Sequence, residues 1–193
     1  MVTLFVVITG MPGTGKTTIV KRLVNELIAT NSRTSGFYTE EVRNDRGNRI
    51  GFDIVSLNAA KRGILARNDQ TCSTSKHKVG NYTVDTSSVD VFLRPIHETL
   101  NATDILVIDE IGKMELKSVF FTKFVTEMIR ATEHSLKIVV ATVPVTTTIN
   151  IVEEIKSHRN SKLFTITKLN RNAIYDDIKK TVDGHLINAL VDE

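Results

Sequence analysis

The chain has 193 residues, enough to bury one sizeable core, and its 41% hydrophobic and 24% charged residues are ordinary for a globular protein. The net charge of +3 is too small to call for nucleic acid or a membrane surface as a partner. The single cysteine, Cys72, excludes an internal disulfide and a thiolate zinc cluster, and the five histidines lack metal-ligand spacing. The first apolar run, residues 4–8, is too short for a signal peptide or a membrane span. We therefore expect one domain over residues 1–193 that works as a monomer in the reducing cytoplasm, without a membrane or a specific nucleic-acid partner.

Short β-branched runs alternate with segments of helical period along most of the chain. These runs lack the in/out alternation of half-exposed strands, which is typical of strands covered on both faces. They predict strands at residues 3–9, 104–109, 136–143 and 162–167. Apolar residues that recur on one stripe predict helices at residues 16–29, 120–129 and 174–190. Strands that alternate with helices imply right-handed crossovers, so the expected fold is a three-layer α/β sandwich with a mainly parallel sheet.

The middle of the chain departs from this pattern. Residues 37–42 and 49–57 are strand-like and flank the sequence RNDRGN, whose Gly47 suits a hairpin loop. We therefore expect an antiparallel hairpin insertion over approximately residues 43–85. The other predictions here are a loop-like stretch, a short strand and a weaker helix, at residues 58–80, 81–85 and 87–101 respectively.

Residues 43–78 are strongly basic, with eight Lys/Arg against three Asp. Two interpretations are open. The segment is either a solvated, partly mobile insertion or a basic flap near a polyphosphate.

Residues 10–17 match the phosphate-loop pattern G-x-x-x-x-G-K-[ST] and lie between a predicted strand and a predicted helix, as the motif requires. The glycines permit positive φ and leave no Cβ in the way of a phosphate, while successive N–H groups at the helix start attract an anion. Lys16 is expected to reach the β- and γ-phosphates, Thr17 to ligate Mg²⁺, and Thr18 to contact the α-phosphate. The predicted phosphate-binding residues are Gly10, Met11, Pro12, Gly13, Thr14, Gly15, Lys16, Thr17 and Thr18.

An acidic pair ends the strand-like run ILVIDE. Asp109 is expected to complete a Mg²⁺ site with Thr17, and Glu110 to orient and deprotonate an attacking water. The alternative for these carboxylates is to cap the turn that follows. Thr142, which closes the next predicted strand, either senses the γ-phosphate through a water or begins the turn before Pro144.

With these residues assembled, the chain resembles the cancer-related nucleoside-triphosphatase family of small P-loop NTPases. The resemblance covers almost the whole chain and is most specific in GFYTEEVR (36–43) and VIDEIGKMEL (107–116), whereas residues 58–78 match poorly. It implies a cytosolic, Mg²⁺-dependent hydrolase with a RecA-like core that slowly converts several nucleoside triphosphates to diphosphates. It also implies nucleotide contacts from the phosphate loop and from Leu106, Val107, Ile108, Asp109, Glu110, Ile111, Gly112 and Lys113. For Lys113 a plain surface role is the alternative.

The sequence TKLNRN, residues 167–172, follows the last predicted strand, where doubly wound folds commonly bind the base. Asn170 stands where some P-loop GTPases carry an aspartate, and an amide cannot accept both of the hydrogen bonds that guanine donates. Loose choice among ATP, GTP and other triphosphates is therefore expected. Arg171 either stacks on the base or decorates the start of the last helix, with Asn170 or Asn172 as its N-cap.

Hydrolysis is the principal functional hypothesis, with Lys16 and Glu110 as the catalytic residues. Lys16, Mg²⁺ and the loop amides would stabilise charge on the transferring phosphoryl group, while Glu110 aligns water. No arginine finger can be assigned, so slow turnover is expected. Two alternatives stay open: a small nucleotide or metabolite kinase with residues 43–78 as its lid, and a nucleotide-dependent switch that binds a protein partner.

Overall fold

The structure, a computed structural model, describes residues 2–29, 32–69, 75–130 and 136–191. Cys72 lies outside the described residues. The strands found within them are β1 Leu4–Gly10, β2 Thr34–Arg43, β3 Arg49–Ser56, β4 Arg62–Arg67, β5 Lys78–Val79, β6 Tyr82–Val84, β7 Ile105–Ile108, β8 Ile138–Val143 and β9 Ser161–Ile166. The α-helices found there are α1 Lys16–Ala29, α2 Thr86–Glu98, α3 Val119–Arg130, α4 Asn150–Ser157 and α5 Ala173–Val191.

All of these strands belong to one mixed sheet, in the order β5-β6-β4-β3-β2-β7-β8-β1-β9. The five strands from β2 to β9 in this order pair in parallel, and the remaining pairs are antiparallel. The expected α/β fold with parallel strands and an antiparallel hairpin insertion is therefore confirmed, and the sheet is mixed, with four parallel and four antiparallel pairs. Because β8 lies between β1 and β7, the carboxyl ends of these three strands meet at one edge of the sheet. This edge carries the phosphate loop, Thr142 and Asp109.

Two hydrophobic cores lie on opposite faces of the sheet. Along β1, Phe5 and Val7 enter one core, whereas Leu4, Val6 and Ile8 enter the other, because successive side chains of a strand point to opposite faces. Helices α2, α3 and α4 pack on the first face, and α1 and α5 on the second. Burial on both faces explains why the strand sequences are continuously apolar, and it produces the expected three layers.

The antiparallel half of the sheet is more extensive than predicted. The expectation of a loop over residues 58–80 is wrong for β4 and β5, and residues 70–74 lie outside the described residues. Strand β4 pairs along its length with β3, from Val55 opposite Arg62 to Gly51 opposite Arg67. This long-range partner stabilises a segment whose own sequence has no clear strand pattern. The helix α4 was also not predicted.

Ion pairs to acidic residues neutralise some of the basic side chains in residues 43–78. The buried carboxylate of Asp53, 5% exposed, accepts hydrogen bonds from Arg62 at 2.9 Å and from Arg67 at 2.5 Å. Arg62 also contacts Glu40 of β2 at 2.7 Å. These contacts tie β2, β3 and β4 together, so this part of the segment is a structured extension of the sheet.

Gly36 explains how β2 joins the parallel half. It has a φ of +132°, and a Cβ at this position would lie 2.0 Å from the Val107 carbonyl oxygen. Only glycine therefore allows β2 to approach β7 this closely. The register pairs Gly36 with Val107 and Phe37 with Ile108, which places β2 beside the end of β7 that carries Asp109.

Among the described residues, none of the helices combines the length and apolar character that crossing a bilayer requires.

Candidate active site

The predicted phosphate loop connects the end of β1 to the start of α1. Gly13 and Gly15 have positive φ, +75° and +101°, which turns the loop back towards the helix. The buried Thr14 closes the turn, with its hydroxyl donating to the Met11 carbonyl at 2.9 Å and its N–H donating at 3.3 Å. Because the first N–H groups of a helix have no intrahelical partner, the start of α1 presents donors to an anion.

Lys16 lies across this loop. Its ammonium donates to the Gly10 carbonyl at 2.9 Å and lies 3.5 Å from the Met11 carbonyl. The side chain is therefore held over the concavity that the loop encloses. Thr17 and Thr18 follow in the first turn of α1, with Thr17 partly buried and Thr18 exposed.

Asp109 follows β7 and is almost fully buried, at 1% exposure. Its Oδ1 accepts a hydrogen bond of 3.1 Å from the Thr142 hydroxyl, and its backbone carbonyl accepts one of 2.8 Å from Thr39. Burial raises the pKa of Asp109, while the hydroxyls of Thr17 and Thr142 and the charge of Lys16 lower it. The structure thus brings Thr17, Asp109 and Thr142 together from α1, β7 and β8.

The second carboxylate oxygen of Asp109 lacks a partner. Oδ2 is buried and forms no hydrogen bond with any described residue. A buried, unpaired carboxylate oxygen is costly unless a cation or a water binds it. With the Thr17 hydroxyl nearby, this arrangement fits Mg²⁺, which prefers oxygen ligands and commonly takes one or two carboxylates together with substrate phosphates. No group of three or more His, Cys, Asp or Glu arranged for a metal occurs in the described parts of the chain.

Glu110 adopts an unusual backbone conformation, with φ at +101°. A positive φ is rare outside glycine and commonly marks a functional site. Hydrogen bonds on both sides of the residue stabilise this conformation. The Glu110 N–H donates to the Ile108 carbonyl at 3.0 Å, and the Ile111 N–H donates to the Thr142 carbonyl at 2.8 Å. Glu110 is exposed, yet desolvation by the surrounding protein and the charge of the nearby Asp109 raise the pKa of its carboxyl group, while Lys16 lowers it.

Glu115 is a further acidic residue at this site, which the sequence reasoning missed. It is 2% exposed, and a Cβ built on Gly112 would lie 2.9 Å from both Glu115 Oε2 and Glu110 Oε1. The two carboxyl groups therefore flank Gly112. Burial, followed by the charge of Glu110, raises the pKa of Glu115 well above its usual value, although backbone N–H groups of Glu115 and Gly112 lower it. The family-specific block DEIGKMEL contains Glu115, and this was the available signal.

The other residues expected around the nucleotide lie in two different environments. Leu106, Val107, Ile108 and Ile111 are 0% exposed in the cores, so their side chains cannot contact a nucleotide. Any contact from them would have to come from the backbone. Gly112 is buried between the carboxyl groups, whereas Lys113 is exposed.

Asn170 and Arg171 lie in the loop between β9 and α5. The Asn170 side chain braces this loop, accepting from the Thr167 N–H at 2.8 Å and donating to the Thr165 carbonyl at 3.0 Å. Arg171 passes beside the phosphate loop, since a Cβ on Gly15 would lie 3.9 Å from its Cδ. The loop is thus placed next to the predicted phosphate loop, and contact with a base stays a prediction.

The comparisons with known proteins agree with this geometry. Residues 5–179 match the model of a family described as NTPase. The chain is 37% identical to the human cancer-related nucleoside-triphosphatase, with 93% of this chain and 96% of the relative covered, and 38% identical to nucleoside-triphosphatase THEP1 of Thermotoga sp. strain RQ2, with 90% and 92% covered.

Two solved structures resemble the whole fold. The crystal structure of THEP1 from the hyperthermophile Aquifex aeolicus has a TM-score of 0.77 at 35% identity, covering 91% of this chain and 96% of that one. The solution structure of a human cancer-related nucleoside triphosphatase has a TM-score of 0.76 at 36% identity, covering 94% and 98%. The chain therefore belongs to the NTPase family that includes the cancer-related nucleoside-triphosphatases and THEP1.

Proposed function

We propose that this chain is a Mg²⁺-dependent nucleoside-triphosphate phosphohydrolase, which converts a nucleoside triphosphate and water to the diphosphate and phosphate. The observation that carries the proposal is the buried, unpaired Oδ2 of Asp109, close to the Thr17 hydroxyl and at the same sheet edge as the phosphate loop. The names of the relatives, nucleoside-triphosphatases, support the same reaction.

The phosphate loop would bind the triphosphate through its amides and through Lys16. For this, the Lys16 ammonium exchanges its hydrogen bond to the Gly10 carbonyl for one to a phosphate oxygen. Thr17 and Asp109 are the residues that would hold Mg²⁺, and the ion would neutralise charge that develops on the phosphates. Thr142 orients the Asp109 carboxylate by fixing Oδ1, which leaves Oδ2 directed to the ligand.

Glu110 would accept the proton of the attacking water. Its strained backbone directs an exposed carboxyl group to a position next to Asp109, where water has access to it. A general base must lose its own proton first, and it must lie within hydrogen-bond reach of the water. Because desolvation by the surrounding protein and, second, the charge of Asp109 raise the pKa of Glu110, this carboxylate is also a better proton acceptor than an ordinary glutamate.

Broad base choice is part of the proposal. The Asn170 amide already forms hydrogen bonds within its own loop. It therefore cannot accept the two hydrogen bonds that guanine donates. The proposed setting is the reducing cytoplasm, and the proposed unit is a single-domain monomer with nucleoside triphosphates as its ligands.

Phosphate release from ATP, GTP, CTP and UTP, each with and without Mg²⁺, tests the proposal. We expect release from all four triphosphates without any added acceptor, and its loss when Mg²⁺ is chelated. Release that appears only after a nucleoside or monophosphate is added would show a kinase instead. Binding without any turnover would favour the nucleotide-dependent switch.

A further inference from the structure

Two cavities lie between the antiparallel half of the sheet and the segment that follows β7, and Glu110 lines the smaller of them. One has a volume of about 320 Å³ and the other about 510 Å³. They share Val79 of β5 and Lys113 as lining residues, so the two cavities adjoin each other, and we refer to the pair as the crevice. Each falls in the range of small-molecule pockets, which runs from about 300 to 1,000 Å³.

The larger cavity is lined by three lysines. Lys78, Lys113 and Lys117 are exposed, and none of them forms an ion pair with a residue in the described ranges. Like charges around one cavity repel each other unless an anion lies among them. The unpaired ammonium groups therefore favour an anionic ligand group at this end.

The smaller cavity is acidic on balance, because two glutamates line it together with the shared Lys113. Glu110 and Glu115 lie in its wall, while apolar side chains form much of the remainder. A second anion is disfavoured here, whereas hydroxyl groups can donate hydrogen bonds to the carboxyl oxygens and a ring can pack on the apolar surface. The apolar residues are Phe52, Leu65, Val79, Met114 and Pro144.

We propose that this crevice is a second-ligand site, separate from the phosphate loop, for a small phosphorylated molecule with a hydroxyl-bearing ring, such as a nucleoside monophosphate. The charge distribution sets its orientation. The phosphate binds among Lys78, Lys113 and Lys117, and the hydroxyl-bearing body extends towards Glu110. This assigns Lys113 to the second ligand and not to the triphosphate.

Occupation of the crevice should also affect turnover, an expectation that rests on the proposed hydrolysis of triphosphates. A bound hydroxyl beside Glu110 occupies the space in which that carboxylate would orient water. Phosphate release should therefore fall when the crevice is occupied. The loss should persist at saturating ATP, because the two ligands bind at different sites.

Binding of 5′-AMP to the protein loaded with Mg²⁺ and a non-hydrolysable ATP analogue tests the site independently of turnover. With the phosphate loop filled, calorimetry should show one AMP bound, more weakly as salt concentration rises. Adenosine, which lacks the phosphate, should bind roughly tenfold more weakly or worse, as expected when several charge contacts are lost. No AMP uptake by the loaded protein, or equal uptake of adenosine, would overturn the proposal.

Lysine variants locate the site. Lys78→Gln and Lys117→Gln should each weaken AMP binding by about two- to fivefold, the usual range for loss of one exposed charge contact. Lys123→Gln on α3, which changes an exposed lysine outside the crevice, should bind AMP like the wild type. Unchanged binding in the double Lys78→Gln/Lys117→Gln variant contradicts the assignment.

Phosphate release provides the second readout. AMP should inhibit the wild type at saturating ATP and should have little effect on the double variant, whose release without AMP should be normal. Inhibition that disappears as ATP rises would place AMP in the phosphate loop and overturn the inference. If AMP binds as described but no triphosphate is hydrolysed, the proposed function fails while the crevice site stands.

Discussion

The Thr142 hydroxyl donates a hydrogen bond of 3.1 Å to Oδ1 of Asp109, whereas Oδ2 of the same carboxylate has no partner among the described residues. One oxygen of a buried carboxylate is thus fixed and the other is left available. The backbone of Thr142 contributes as well, because its carbonyl accepts the Ile111 N–H at 2.8 Å. A single residue of β8 therefore positions both the metal-binding candidate and the strained segment that carries Glu110.

Replacing Thr142 with valine tests this arrangement. Valine keeps the shape of the side chain but removes the hydroxyl, so Asp109 loses its fixed orientation. We expect the apparent Mg²⁺ affinity or the activity to fall by about 10- to 100-fold, as for other partners that orient a metal ligand. A Mg²⁺ titration of phosphate release measures the change.

The matched control for that variant is Thr9→Val. Thr9 is 4% exposed on β1 and donates to the Val143 carbonyl at 3.1 Å, so it is also a buried threonine with one hydrogen bond near the same sheet edge. This change should cost about 1 kcal/mol of unfolding free energy without altering the Mg²⁺ dependence. Equal Mg²⁺ profiles for Thr142→Val and the wild type would remove Thr142 from its positioning role.

Lys16→Ala should weaken triphosphate binding more than diphosphate binding. The ammonium now lies 2.9 Å from the Gly10 carbonyl, and it is proposed to transfer to the phosphates when the nucleotide binds. Loss of a charged hydrogen bond costs about 1.5–3 kcal/mol, or roughly 10- to 100-fold in affinity. Fluorescence titration with both nucleotides measures the difference, with Lys123→Ala as an exposed control. Equal losses for the two nucleotides would restrict Lys16 to the β-phosphate.

Glu110→Gln should bind nucleotide normally and turn over poorly. The amide is close in size to the carboxyl group but cannot accept the proton of water, and general base catalysis contributes about 10²- to 10⁴-fold. Single-turnover kinetics separates this defect from a binding defect. The exposed Glu127→Gln on α3 is the control. A Glu110→Gln enzyme with wild-type turnover would remove Glu110 from the reaction.

The turn between β1 and α1 was predictable because the residues that form it are consecutive in the sequence. Eight consecutive residues carry both the glycines that turn the chain and the Lys16 and Thr17 side chains that follow. The parallel strands were equally readable, since burial on both faces leaves a continuous apolar run. The positions of Asp109 and Glu110 could also be predicted, because they directly follow one of these apolar runs.

The features that were missed depend on distant partners. Strand β4 is stabilised by pairing with β3 and by the contacts of Arg62 and Arg67 with Asp53, none of which the local sequence reveals. Likewise, a glutamate such as Glu115 is normally exposed, and only the packed structure shows that it is buried beside Gly112. The crevice lined by lysines arises from residues far apart in the chain.

Glu115 leads to a prediction on stability. Its folded-state pKa is raised above the value of 4.5 for a free carboxyl group, chiefly by burial. The folded protein therefore holds the proton more tightly than the unfolded chain does. Above the unfolded pKa, stability should decrease with rising pH until the folded pKa is passed, and the penalty should then stay constant. Glu115→Gln removes this penalty, because its amide does not ionise.

We therefore expect Glu115→Gln to be more stable than the wild type at about pH 8, by on the order of 1 kcal/mol or more, and to be similar to it near pH 4. Urea unfolding at a series of pH values measures both limits, and the exposed Glu98→Gln should follow the wild-type profile. A Glu115→Gln protein that is destabilised by the same amount at every pH would mean that folding does not raise the pKa of Glu115, and a larger loss at pH 8 than at pH 4 would mean that the folded state stabilises the ionised carboxylate. If the expected gain is found together with slower phosphate release, the buried carboxyl group is retained at a cost in stability because it positions Gly112 and Glu110 for the reaction.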